Sequence, residues 1–123
     1  MKHNNEVKTI VFPVAGIGSR FLPATKSVAK ELLPVLNRPL IEYAVEEAIN
    51  SGIEKFIFIT SPSKQNITGH FKINTELQEL IKIKDKILFS SITKYLLPED
   101  KVIEVTQSEP RGLGHAIWCA RQH

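Results

Sequence analysis

A chain of 123 residues has room for one domain and excludes two complete ones. Its 42% hydrophobic and 24% charged composition is that of an ordinary folded globular protein, which excludes wholesale disorder and collagen-like repetition. Sixteen Lys and Arg against 13 Asp and Glu leave a net charge of only +3, too small and too dispersed for a nucleic-acid-binding surface, while an anionic small molecule stays open.

In chain order, Thr9-Ile10-Val11-Phe12 is a short β-rich apolar run that reads as a strand buried on both faces and feeding the loop Pro13-Val14-Ala15-Gly16. Pro13 donates no ladder hydrogen bond, so it belongs at the strand's end or on an unpaired side. A Gly-, Pro-, Ser- and Thr-rich loop follows. Leu40 to Asn50 then places Leu40, Ile41, Ala44, Val45, Ala48 and Ile49 at helical spacing, between Pro39 at the start and Gly52 where a left-handed helix ending is usual. Lys55 to Thr60 is a second apolar run, and the strand-loop-helix-strand order predicts a right-handed crossover between parallel strands.

Between Lys64 and Tyr95 the pattern is helical but untidy, with Leu77, Leu80, Ile81, Ile87 and Leu88 predicting two short helices that cover the sheet. Val102 to Val105 reads as a third strand, and Gly114 to Arg121 as a helix opened by a Gly-rich turn. Three strands with interleaved helices make an α/β layer fold that covers both faces of its sheet.

The lone cysteine, Cys119, cannot form an internal disulfide, and one cysteine with four scattered histidines lacks the spacing of a structural zinc site, which fits a reducing cytosol. No apolar stretch approaches the roughly 20 residues that span a bilayer, and the polar N-terminus lacks a secretory signal pattern. The expectation is a soluble cytoplasmic protein with no membrane and no nucleic-acid partner.

Gly16-Ile17-Gly18 directly follows the first strand, where missing side chains let backbone N–H groups approach an anion. A dinucleotide fingerprint would need glycine where Phe21 stands, and the Gly-Lys-Ser/Thr of a P-loop is absent, so a plain tight turn competes with a phosphate site. Arg20, Lys26 and Lys30 add three positive charges in one short loop, as a polyanion such as a triphosphate requires, although lysines also decorate solvated loops. Gln107 lies just beyond the third strand, and its amide can donate to and accept from a base edge such as the imide face of uracil, with Gly112 offering unobstructed main-chain groups. His115 reads as a structural hydrogen-bonding residue near a helix start, and Trp118 and Cys119 as core or helix-face residues.

Gly16-Ile17-Gly18-Ser19-Arg20-Phe21-Leu22-Pro23-Ala24-Thr25-Lys26 with Lys30-Glu31-Leu32-Leu33-Pro34-Val35 resembles the signature of the sugar-nucleotide pyrophosphorylases. Pro39 to Tyr43, and Gly112-Leu113-Gly114-His115-Ala116 after Gln107, look most like the bacterial UTP-glucose-1-phosphate uridylyltransferases within that family, with the thymidylyltransferase branch fitting less closely. Ser19 replaces the threonine commonest at its position and keeps a hydroxyl. The resemblance is weakest from about Lys72 to Lys101.

The resemblance implies a Rossmann-like nucleotidyltransferase layer with a mostly parallel sheet, incomplete at the C-terminal end. Residues 1–123 would be the N-terminal nucleotide-binding part of a single nucleotidyltransferase domain. The implied reaction moves a uridylyl group from UTP to glucose 1-phosphate, giving UDP-glucose and pyrophosphate with Mg²⁺. Ala15, Gly16 and Gly18 would hold nucleotide through their backbone, Arg20 would stabilise the departing pyrophosphate and Lys30 would bridge the reacting phosphates. Gln107 and Gly112 would recognise uracil, and Glu31 would help shape the pocket. In the family the magnesium sits on an aspartate of the strand after the Gly-Leu-Gly-His helix, beyond His123, and the full-length protein would be a homo-oligomer. Two expectations follow for the chain alone: negligible transferase activity, and association through an uncovered sheet edge. Thymidylyl transfer and a non-catalytic nucleotide-binding module remain the alternatives.

Overall fold

The computed structural model describes residues 6–64 and 66–123; the polar N-terminus considered above lies almost wholly outside them. Strand β1 (Thr9–Pro13) leads into a long loop with short 3-10 turns at Ser19–Phe21 and Lys30–Leu32, and then a small antiparallel pair, β2 (Pro34–Val35) and β3 (Arg38–Pro39). Helix α1 (Leu40–Asn50) and strand β4 (Lys55–Thr60) follow, then helices α2 (Asn66–Gly69), α3 (Thr75–Lys84) and α4 (Lys86–Thr93), strand β5 (Val102–Thr106) and helix α5 (Leu113–Cys119).

β1, β4 and β5 form a three-stranded sheet in the order β1-β4-β5, with both pairings parallel. Side chains alternate across a strand, and β4 uses both faces. Phe56 and Phe58 pack with Phe12, Phe71 and the α1 residues Ile41, Val45 and Ala48. Ile57 and Ile59 pack on the other side with Ala116 and Ala120 of the α5 region. Both faces of the sheet are therefore covered, as the layer argument requires.

The ends of α1 fall where its sequence marks them. Pro39 caps the start at φ −58, and Gly52 follows the last turn at φ +82. There the Ile53 amide donates to the Ala48 carbonyl and the Gly52 amide to that of Ile49, both at 3.1 Å, the paired bonds of a glycine-terminated helix. Arg38 ties the helix to the preceding hairpin, donating to Glu42 at 2.7 Å and Glu46 at 2.8 Å.

Two expectations need correction. β1 is covered on both faces less completely than expected: it lies at one edge of the described sheet, Ile10 and Phe12 pack on one face and Val11 on the other, but Phe12 alone is buried, and the fully covered strand is β4. Pro13 does close β1, as its missing donor demands. The second correction concerns α3 and α4, which bury no residue and pack on each other rather than over the sheet. Asn74 and Asp85 cap them by accepting from the Leu77 amide at 3.1 Å and from the Ile87 and Leu88 amides at 3.0 Å. The covering contacts come instead from the short α2 and the turn after it, through Ile67 and Phe71. Among the described residues no helix is long and apolar enough to cross a membrane.

Phe58 is sealed from solvent, with its ring 5.1 Å from that of Phe12 and 5.8 Å from that of Phe71. Phe58→Ala should cost about 3–5 kcal/mol in urea unfolding, whereas Ile83→Ala on the exposed side of α3 should change stability by less than about 0.5 kcal/mol.

Candidate functional site

Because the three strands run parallel, the loops that leave their C-terminal ends emerge at one edge of the sheet, where open α/β folds bind ligands. Two backbone bonds carry the ladder past the strand ends. The Val14 amide donates to the Ile59 carbonyl at 2.9 Å, and the Gln107 amide donates to the Thr60 carbonyl at 2.7 Å. The segments beyond β1 and β5 are thus hung from adjacent carbonyls of β4. Ala15, Gly16 and Ile17 from the first and Gln107, Gly112 and Leu113 from the second line one open cavity of about 390 Å³.

The two glycines of the first loop have different physical reasons. Gly18 sits at φ +67, and a Cβ there would meet Thr25 Cγ2 at 3.0 Å and Lys30 Cβ at 3.3 Å. Its carbonyl accepts from Thr25 Oγ1 at 2.7 Å and from the Phe21 amide at 3.0 Å, so this residue is a tight-turn glycine. Gly16 has no positive φ, and a Cβ built on it meets no atom within 4 Å. Its bareness leaves the cavity wall open.

Behind the loop lies a buried ion pair. Lys64 Nζ contacts Glu31 Oε2 at 2.8 Å, with both side chains about a tenth exposed or less, and donates to the Gly16 carbonyl at 2.5 Å. Glu31 therefore stands behind the glycine loop and does not line the cavity. Lys64 was missed from sequence, although it directly follows the Ser61-Pro62-Ser63 turn at the C-terminal end of the central strand, a position from which site residues come.

On the opposite wall Gln107 is buried. Its Nε2 lies 3.3 Å from the Gly112 carbonyl and 2.9 Å from His115 Nδ1. An amide nitrogen only donates, so the imidazole Nδ1 accepts and its proton sits on Nε2. His115 is then the structural hydrogen-bonding residue its position suggested, and Gln107 presents Oε1 as its remaining polar atom. Gly112 precedes α5 at φ +91, strained for any side chain.

The structure brings Ala15, Gly16, Gln107 and Gly112 together around one cavity. It does not bring the cations of the first loop to that wall. Arg20 is exposed on its 3-10 turn, and Lys30 is half-buried against Gly18. Lys26 lines a neighbouring cavity of about 210 Å³ with Lys64, and Ile17 borders both spaces.

Replacing the two glycines should separate their roles: Gly18→Ala should cost about 1–3 kcal/mol in chemical denaturation, and Gly16→Ala less than about 0.5 kcal/mol. For the ion pair, Lys64→Met alone should destabilise by about 3–5 kcal/mol by stranding the Glu31 charge. Adding Glu31→Leu should restore most of that loss in the same measurement.

The nucleotidyl transferase family model matches residues 9–123. The chain is 42% identical over 116 residues to the UTP–glucose-1-phosphate uridylyltransferase of Bacillus subtilis, covering 94% of this chain and 40% of the relative. It is 44% identical over 117 residues to uridylyltransferase 1 of Staphylococcus saprophyticus, covering 95% and 41%. In structure it resembles a UTP-bound UDP-glucose pyrophosphorylase (UGPase) of Acinetobacter baumannii, with a TM-score of 0.85 at 47% identity, over 94% of this chain and 41% of that one. The chain thus spans about two fifths of the length of the relatives it matches. The family match takes in both loops of the cavity, the ion pair behind it and the strands that carry them, and the chain belongs to the nucleotidyl transferase family.

Proposed function

We propose that residues 1–123 are the nucleotide-binding part of a single nucleotidyltransferase domain that transfers a uridylyl group from UTP to glucose 1-phosphate, releasing pyrophosphate. The observation that carries this reading is the shared cavity, in which a glycine loop fit for phosphates faces an amide fit for a pyrimidine. The uridylyltransferase names of the relatives and the UTP-bound neighbour support the choice of base.

The chemistry asks the protein for alignment and charge stabilisation. A sugar phosphate oxygen is already ionised at neutral pH, so it attacks the α-phosphorus of UTP in line without a general base, and the bond to pyrophosphate breaks. Ala15 and Gly16 hold the nucleotide by main-chain contacts, and Gly18 gives the loop its shape. Arg20 for the departing pyrophosphate and Lys30 for the reacting phosphates stand on the same glycine loop but outside this cavity wall, so those two roles require the triphosphate to extend from the cavity along the loop. Gln107 Oε1 accepts from the uracil N3–H, while the Gly112 N–H meets a uracil carbonyl. Glu31 shapes the pocket from behind, through Lys64.

The reading also takes the protein to be a cytoplasmic homo-oligomer that works with Mg²⁺. The residues described do not fit that ion. Among them no Asp or Glu lines the cavity between the glycine loop and Gln107, and the buried carboxylate Glu31 is committed to Lys64. Mg²⁺ usually takes one or two protein carboxylates, so no step here is routed through it.

Calorimetric titration of the chain tests the proposal. UTP should bind and ATP should bind at least about tenfold more weakly, and Gln107→Leu should erase that preference, since it removes the acceptor for the uracil imide. Equal affinity for UTP and ATP, or no binding of UTP, would overturn it.

A further inference from the structure

The Lys64 ammonium is buried, yet it does not line the cavity between the glycine loop and Gln107. It lines the neighbouring cavity and grips the Gly16 carbonyl from there, at 2.5 Å. Leu22–Pro23 is the cis peptide among the described residues, so the Gly16–Ile17 peptide is trans. In a planar trans peptide the carbonyl and the following N–H point in opposite directions. A carbonyl drawn back toward Lys64 therefore turns the Ile17 N–H the other way, to the side where Gly16 and Ile17 border the Gln107 cavity. Among the described residues no group accepts from that N–H.

We propose that Lys64 is a positioning residue for phosphate binding: anchored by Glu31, it fixes the Gly16–Ile17 peptide so that the Ile17 N–H is presented to the phosphates of the bound nucleotide. This rests on the UTP reading above. The charge arithmetic favours positioning over direct contact. Paired with Glu31 at 2.8 Å, the ammonium is neutralised locally, and two of its three protons are already placed. Its contribution is the direction of a backbone dipole. A backbone amide held in advance costs no reorganisation when the anion arrives, the same advantage that preorganised donors give at an oxyanion hole. The sequence supplies the geometry from three distant points: the glycine at 16, the acid at 31 and the lysine at 64 meet only when β1 and β4 pair.

The test compares UTP with uridine, because only the former carries phosphates. In the Glu31→Leu/Lys64→Met double variant both charges leave together, which keeps the core neutral. Titration should show uridine affinity unchanged and UTP affinity about tenfold weaker. Hydrogen exchange should show that UTP no longer protects the Ile17 amide. If the double variant does not fold, Glu31→Gln keeps the lysine but loosens its anchor, and should weaken UTP selectively in the same direction. Unchanged UTP affinity with the Ile17 amide still protected would overturn the positioning role and leave the UTP reading intact, as would equal weakening of UTP and uridine. A wild-type chain that binds neither UTP nor inorganic pyrophosphate would overturn both.

Discussion

The carbonyls of Ile59 and Thr60, at the end of the central strand, each receive one amide from a different part of the chain. Val14 arrives from β1 and Gln107 from β5, and parallel pairing on both sides of β4 puts those two segments at the same edge. Parallel strands demand crossover connections, so the residues between Pro13 and Lys55 and between Thr60 and Val102 serve first to return the chain to the correct end. Once they do, the distance in sequence between the glycine loop and Gln107 ceases to matter. A cavity between two neighbouring loops follows from the topology, and the packing of Phe58 between Phe12 and Phe71 holds the strands that frame it.

Within that frame the site divides its tasks between rigid backbone and buried charge. Gly18 has to be glycine because its backbone is left-handed and its neighbours leave no room, whereas Gly16 has room for a side chain and its bareness serves the open cavity wall. The Glu31–Lys64 pair stands behind the loop at a desolvation cost that a purely structural contact would avoid with apolar residues. Its second bond, to the Gly16 carbonyl, is what an apolar pair could not supply. The opposite wall is organised in the same way, since Gln107 spends its amide protons on Gly112 and His115 and leaves an oriented oxygen.

The elements read most faithfully from sequence were those with both pattern and punctuation. α1 runs from Leu40 to Asn50 as its apolar spacing, Pro39 and Gly52 dictated, and β4 runs from Lys55 to Thr60. The apolar residues of α3 and α4 were legible as helical, but periodicity says nothing about which surface a helix covers, and here Leu80, Ile83 and Ile87 face outward. β1 misled for a related reason: a short apolar run reads alike at the edge and at the centre of a sheet. In the site, Gly16, Gln107 and Gly112 were visible because glycine after a strand and an amide after another carry local signals. Lys64 was not, because a lysine in a loop has no pattern of its own and its meaning comes from Glu31, brought to it only by the fold.

The central claim is that the two loops bind one nucleotide together, and amide chemical-shift mapping during a UTP titration tests it most directly. The account predicts that Ala15, Gly16 and Ile17 shift along with Gln107 and Gly112, following one binding curve with one dissociation constant. Shifts confined to one loop, or two loops titrating with different constants, would contradict it.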